Sequence, residues 1–157
     1  IPAVIPRIAP FGWHIQVQEN GEDALNWLPK ITSLPVPVVI DHIGRMPKDM
    51  DLNDPGFTAL LKLLEGGNIW IKISGPYYGS ATGAPYSDVV PRIRKLADVR
   101  PDRLVWGLNW PHPQFAAGDK PVPAHCLDIL LDAFPDDPAM RKAILADNPA
   151  RLYDFPD

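Results

Sequence analysis

A chain of 157 residues with 46% apolar and 22% charged residues has the composition of a globular domain with room for its own core. Its formal net charge of -4 excludes the clustered basic excess of a nucleic-acid-binding surface. The single cysteine, Cys126, excludes an intrachain disulfide and a zinc–thiolate cluster, and no apolar run reaches the roughly 18 residues that span a bilayer.

In chain order, "WHIQVQ" (13–18) alternates apolar and polar residues and predicts a first strand, with Ile15 and Val17 on one face. "GEDALNWLPKI" (21–31) predicts a helix carrying Leu25 and Leu28 on its apolar stripe and acidic residues in its first turn. "VPVVID" (36–41) is nearly continuous and β-branched, a second strand. "DPGFTALLKLLEGG" (54–67) places Phe57, Leu60, Leu61 and Leu64 at i, i+3, i+4 and i+7, with Asp54 as N-cap and Gly66 as the stop. "NIWIKIS" (68–74) sets Ile69, Ile71 and Ile73 against Trp70 and Lys72, a third strand. "YSDVVPRIRKLADV" (86–99) is a helix with Val89, Val90, Ile93 and Leu96 inward; its Arg92, Arg94 and Lys95 read as a solvated face. "RLVWG" (103–107) is the fourth strand, and 124–134 and 137–155 are helical, the latter broken at Asp147–Asn148 before Pro149. Cys126 on the first of these helices reads as a small buried hydrophobe. The 20 prolines sit singly or in pairs between these elements, stopping helices and shaping loops.

Strand and helix alternate every 25 to 35 residues, roughly the period of βαβ units in a parallel sheet. Such sheets collect function beyond the carboxyl ends of their strands, and polar, titratable residues concentrate there in this chain. After the first strand come Gln18 and Glu19; after the second, Asp41, His42, Gly44 and Arg45; after the third, Ser74, Tyr77 and Tyr78; after the fourth, Asn109, Trp110 and His112. His42 ends a buried strand beside Gly44 and Arg45 and is the leading functional candidate. Strand alternation turns Asp41 away from His42, toward a structural role. Arg45 suits either a substrate carboxylate or a structural ion pair. Of the adjacent Tyr77 and Tyr78, one is expected to face the site. His14 belongs to the far end of its strand, and Trp106 and Trp110 read as packing. No GxGxxG or phosphate loop, no G-x-S-x-G elbow and no HExxH is present.

"VVIDHIGR", "IWIKISGPYYGS", "PDRLVWGLNWPHP" and "DNPARLYDF", in this order, resemble the amidohydrolase-related family of TIM-barrel metal-dependent hydrolases, nearest the 2-pyrone-4,6-dicarboxylate lactonase and sulfomuconolactone hydrolase branch. The resemblance implies a (β/α)8 barrel of which residues 1–157 are the C-terminal half, the last four βα units, with helical material at 1–11 ending the fourth unit. The absence of Met at Ile1 is read the same way, as a fragment or a processed product. It implies a hydrolase of a lactone or related cyclic ester or carboxylic acid from aromatic catabolism, acting in the cytoplasm on a small molecule. His42 matches the family's histidine after the sixth strand. Asn109 stands where the family carries an aspartate after the eighth, so an amide replaces the expected general base. Three readings of that amide stay open: a natural variant that uses another base such as His42, a non-catalytic homologue, or an engineered substitution. Gln18, Arg45, Ser74, Tyr78 and His112 are implied as substrate-lining. Tyr78 replaces an arginine and Gln18 a tyrosine of the lactonase, which points to a less anionic substrate. The cofactor stays open between none and a divalent metal, Zn or Mn, with His42 as the ligand if one is bound. Two alternatives remain: a half-barrel inactive until it meets its missing half or a second copy, and a metal-dependent decarboxylase of the same superfamily.

Overall fold

The computed structural model describes residues 3–66 and 68–155. Four strands, β1 (Ile15–Val17), β2 (Val38–Ile40), β3 (Ile69–Ile73) and β4 (Leu104–Trp106), form one parallel sheet in the order β1-β2-β3-β4. Every predicted strand is present and each is shorter by two or three residues; at β2 the flanking Pro37 and Asp41 bound it, Pro37 having no ladder donor. The helices are α1 (Ile5–Ile8), α2 (Ala24–Ile31), α3 (Pro55–Glu65), α4 (Val90–Val99), α5 (Pro123–Ala133), α6 (Pro138–Lys142) and α7 (Asn148–Tyr153). Residues 1 and 2 of the predicted helical material and Gly67 of the predicted 54–67 helix lie outside the described residues. No helix among the described residues is long and apolar enough to cross a membrane.

The sheet has two unlike faces. Val38, Ile40, Ile69, Ile71, Ile73 and Leu104 point outward to the helices, which pack in succession, α2 on α3, α3 on α4 and α4 on α5. On the inner face Val39, Trp70 and Val105 form a smaller apolar layer, covered by Leu152 from α7. The period-two pattern in "IWIKI" therefore divides the two faces as its isoleucines suggest.

Helix faces correct the sequence reading at two places. In α2 the buried residues are Ala24, Trp27, Leu28 and Ile31, while Leu25 is 57% exposed. The stripe starts one residue earlier and uses the indole. In α4 the guanidinium of Arg92 is buried, not solvated: it donates to Gly79 O at 2.9 Å, Lys48 O at 3.1 Å and Met50 O at 3.4 Å. Arg94 likewise ties α4 to the end of α5 by donating to Asp132 O at 2.7 Å and Ala133 O at 2.8 Å. The expected change at Asp147–Asn148 is present as a change of helix type, α7 beginning at Asn148. A π-turn over Ala143–Asp147 joins α6 to α7, and buried Asn148 donates to Pro101 O at 2.8 Å and Leu104 O at 2.7 Å. That anchor lays α7 against the start of β4 and delivers Leu152 to the inner face.

Asp54 caps α3 as its spacing predicts, its Oδ1 accepting from Gly56 N at 2.7 Å and Phe57 N at 3.2 Å. Asp54→Ala is expected to cost about 1 kcal/mol in urea unfolding, the usual loss for an N-cap. No shift of the midpoint would show that the cap carries no energy.

Candidate functional site

Backbone strain concentrates where the strands exit. Of the seven described non-glycine residues with positive φ, His42 (55°), Ile43 (56°), Arg45 (48°), Asn109 (66°) and His112 (57°) follow β2 or β4. Each such conformation costs of order 1 kcal/mol, and strain of this kind gathers where side chains are aimed for a task.

The turn at His42 has a direct consequence. Register pairs Ile40 with Ile71, which sets Asp41 beside Lys72 on the inner face. Strict alternation would then send His42 outward to the helices; its left-handed φ brings the ring back instead. Asp41 and His42 consequently line one cavity of about 250 Å³ together with Lys72, Ser74 and Asn109. The expectation that Asp41 faces away from His42 is corrected, since alternation ends with the strand.

Two hydrogen-bonded systems meet at this cavity. In the first, the His42 ring bonds through Nδ1 to Ser74 Oγ at 2.8 Å and packs on Tyr78, centroids 4.8 Å apart. Arg45 also lies over this tyrosine, its guanidinium carbon 4.6 Å from the ring centroid. Burial lowers the pKa of His42 below its ordinary value; Asp41 opposes the shift, whereas Arg45 and Lys72 add to it. The imidazole is therefore neutral at pH 7. In the second system Asn109 Nδ2 donates to Tyr77 Oη at 2.8 Å, and that hydroxyl lies 2.9 Å from Nδ1 of buried His112. Donation by Nδ2 fixes the amide's orientation and leaves its carbonyl oxygen as an acceptor. His112 is also held neutral, chiefly by burial.

Other sequence candidates fall around this centre. Ser74 lines the cavity as the partner of His42. Tyr78 and Arg45 border a neighbouring cavity of about 320 Å³ with Asn20 and Glu22. Neither Tyr77 nor Tyr78 lines the cavity; Tyr77 touches it through Asn109 and Tyr78 through His42. His112 stands behind Tyr77 and does not line the cavity. Gln18 is exposed and does not line it either, whereas Gln16, two residues earlier, does. Trp106 packs by donating Nε1 to Cys126 O at 3.1 Å, and buried Cys126 has its thiol pushed up to about 11. Trp110, expected to pack, is 76% exposed.

Sequence reasoning missed Asp41, Lys72 and Gln16 as site residues. Gln16 Nε2 donates to Asp41 Oδ2 at 2.8 Å, and Lys72 Nζ donates to Gln16 Oε1 at 2.7 Å while lying 3.1 Å from Asp41 Oδ1. The missed signal was a charged residue inside a strand, Lys72 in "IWIKI", on the face opposite three isoleucines. A larger cavity of about 800 Å³ opens at the other end of the sheet, between Trp13, Trp70 and Arg103. His14 borders it, at the start of β1 and away from His42, as its position predicts. Its lining also holds an imidazole, an amide, a carboxylate and two guanidinium groups, from His14, Asn68, Asp154, Arg103 and Arg151, but it lies at the amino ends of the strands, whereas parallel α/β sheets collect function at the carboxyl ends.

The same arrangement of elements recurs in known proteins. The amidohydrolase family's model matches residues 3–155. The D-galactarolactone isomerase of Agrobacterium fabrum is 35% identical over 98% of this chain and 52% of its own length. The 2-pyrone-4,6-dicarboxylate hydrolase of Comamonas testosteroni is 35% identical over 94% of this chain and 50% of its own. A solved apo structure from Agrobacterium tumefaciens superposes with a TM-score of 0.86 at 35% identity, covering 99% of this chain and 55% of that one. The chain thus spans about half the length of the relatives it matches, and along nearly all of its own length it belongs to the amidohydrolase family.

Proposed function

We propose that residues 1–157 form the C-terminal half of a (β/α)8 barrel domain whose site attacks the ring carbonyl of a lactone or related cyclic ester. Support for the half-barrel comes from four parallel strands in sequential order, from the apolar layer of Val39, Trp70 and Val105 on the inner face, and from coverage of about half of each relative. Strands β1 and β4 are the edges where the remaining strands would pair. The observation that carries the chemistry is the convergence of neutral His42 and oriented Asn109 on one cavity at the strand exits.

The reaction follows from what these groups can accept and donate. With a proton on Nδ1 held by Ser74, His42 keeps the Nε2 lone pair and acts as general base toward water. Asn109 cannot take that proton, but its carbonyl oxygen can accept one O–H of the same water and hold it against the ring carbonyl. The amide thus orients and the imidazole abstracts, which divides between two residues the work of a single aspartate. With a hydroxyl of the substrate in place of water, the same attack would move the acyl group and isomerise the lactone.

The donors that this half of the barrel brings to the site do not by themselves make a divalent-metal site. Asp41 is the one carboxylate lining the cavity and is already paired with Lys72, His42 spends Nδ1 on Ser74, and no group of three His, Cys, Asp or Glu side chains suited to a metal occurs among the described residues. No step is assigned to a metal.

The test is to assay the full-length natural protein on D-galactarolactone and 2-pyrone-4,6-dicarboxylate, following the products by NMR before and after exhaustive dialysis against EDTA. Ring opening or isomerisation of at least one is expected, unchanged by the chelator. Inactivity on both refutes the lactone reading. Loss of activity restored by Zn or Mn refutes the metal-free site.

A further inference from the structure

We propose that Lys72 is the electrophile of this site, its ammonium receiving the ring carbonyl oxygen as that oxygen becomes an anion. The inference rests on the ring-opening reading and deepens it.

Three observations carry it. Lys72 lines the cavity that His42 and Asn109 share and is the cation lining it. Its side chain is 16% exposed, and its ammonium donates to Gln16 Oε1 and forms an ion pair with Asp41 Oδ1. Even with one N–H given to Gln16 and another turned to Asp41, a third remains for a ligand in the cavity. Its stem reaches this place across Gly107, where a Cβ would lie 3.3 Å from Lys72 Cδ; the absence of a side chain at the exit of β4 gives the lysine its channel.

Stability alone gives no reason for a charge pair here. A buried ion pair returns little more than its desolvation cost, and apolar side chains of similar volume serve a fold equally well. Next to the pair on the same face, Val39, Trp70 and Val105 do serve it that way. A cation fixed by two acceptors in a half-desolvated cleft is, in contrast, suited to an oxyanion, because its orientation is set before the charge develops.

In the reaction, water attacks the ring carbonyl carbon and His42 takes one water proton. The carbonyl π pair moves onto oxygen, which the Lys72 ammonium holds. The carbonyl then re-forms, the ring C–O bond breaks with its electron pair on the leaving oxygen, and the proton on His42 passes to that alkoxide. One water is added, nothing is oxidised or reduced, and both residues regain their starting states.

The experiment compares Lys72→Met with the double variant Lys72→Met/Asp41→Leu in the full-length natural protein, on whichever of D-galactarolactone and 2-pyrone-4,6-dicarboxylate the wild type turns over. Lys72→Met should lower kcat ~100-fold or more and leave KM within about threefold, since the contact strengthens only as charge develops. The double variant removes the stranded carboxylate; it should melt near the wild type and remain as slow as the single variant. Recovery of kcat in the double variant would show that Lys72 only neutralised Asp41, and overturns the proposal. A rise in KM with kcat retained would make Lys72 a substrate anchor and overturns it as well. Wild-type inactivity on both compounds removes the ring-opening reading itself, and the role of Lys72 with it.

Discussion

Replacing His42 with alanine is expected to lower the kcat of the full-length natural protein for ring opening at least ~100-fold, the usual scale for loss of a positioned acid–base group. The effect should be this large because no second group that this half of the barrel brings to the cavity can take its place. Asn109 cannot bind the proton, Asp41 is tied on both oxygens, by Gln16 and by Lys72, and His112 stands behind Tyr77. The pH profile supplies a second reading. Burial, with Arg45 and Lys72, lowers the pKa of His42 below 6.5, so its base form persists through neutrality and is lost only in acid. kcat/KM should therefore be flat around pH 7 and fall with an acid limb below pH 6.5. Turnover in His42→Ala within threefold of wild type would remove the imidazole from the mechanism. An acid limb above pH 6.5 would assign the base to another group.

How far the sequence discloses this site depends on which physical rule governs each residue. The four strands and most helices are legible because period two and period 3.6 survive in short runs such as "IWIKI" and "GFTALLKLL". The placement of Asp41 is not, because alternation predicts a side chain only while the strand lasts, and the positive φ of His42 lies outside that rule. Lys72 was visible as a charge on the face opposite three isoleucines; its meaning needed the neighbouring strands, which bring Asp41 and Gln16 to it from 31 and 56 residues away. The amide at 109 was readable as a substitution only through resemblance to a family. Its orientation depends on Tyr77, 32 residues distant, a contact no local pattern encodes. Leu25 was misassigned for a simpler reason: leucine suggested the core, yet the tryptophan two residues later occupies it.

Arg92 gives the largest expected loss of stability outside the apolar core. Its guanidinium reaches the loop after β2 through Lys48 O and Met50 O and the loop after β3 through Gly79 O, so one side chain fastens two of the strand exits that build the cavity. Gly79 permits the approach: a Cβ there would lie 2.8 Å from Arg92 Nη1. Desolvation lowers the pKa of the guanidinium while Asp88 and Asp49 oppose the shift, and it stays charged at every accessible pH. Arg92→Met keeps much of the stem's volume and strands the carbonyls. With charged hydrogen bonds contributing about 1.5–3 kcal/mol and each stranded acceptor about 1–3, a loss of about 3 kcal/mol is expected. That corresponds to a fall in Tm of roughly 6–12 °C for a domain of this size. Arg92→Lys should rescue little of it, because a single ammonium cannot span the carbonyls that the planar fork reaches together. The two loops carry Arg45 and Tyr78, so both variants should also raise KM before they lower kcat. Thermal unfolding followed by circular dichroism decides the matter: a lysine variant as stable as the wild type would mean that charge alone, without the fork, holds the strand exits in place.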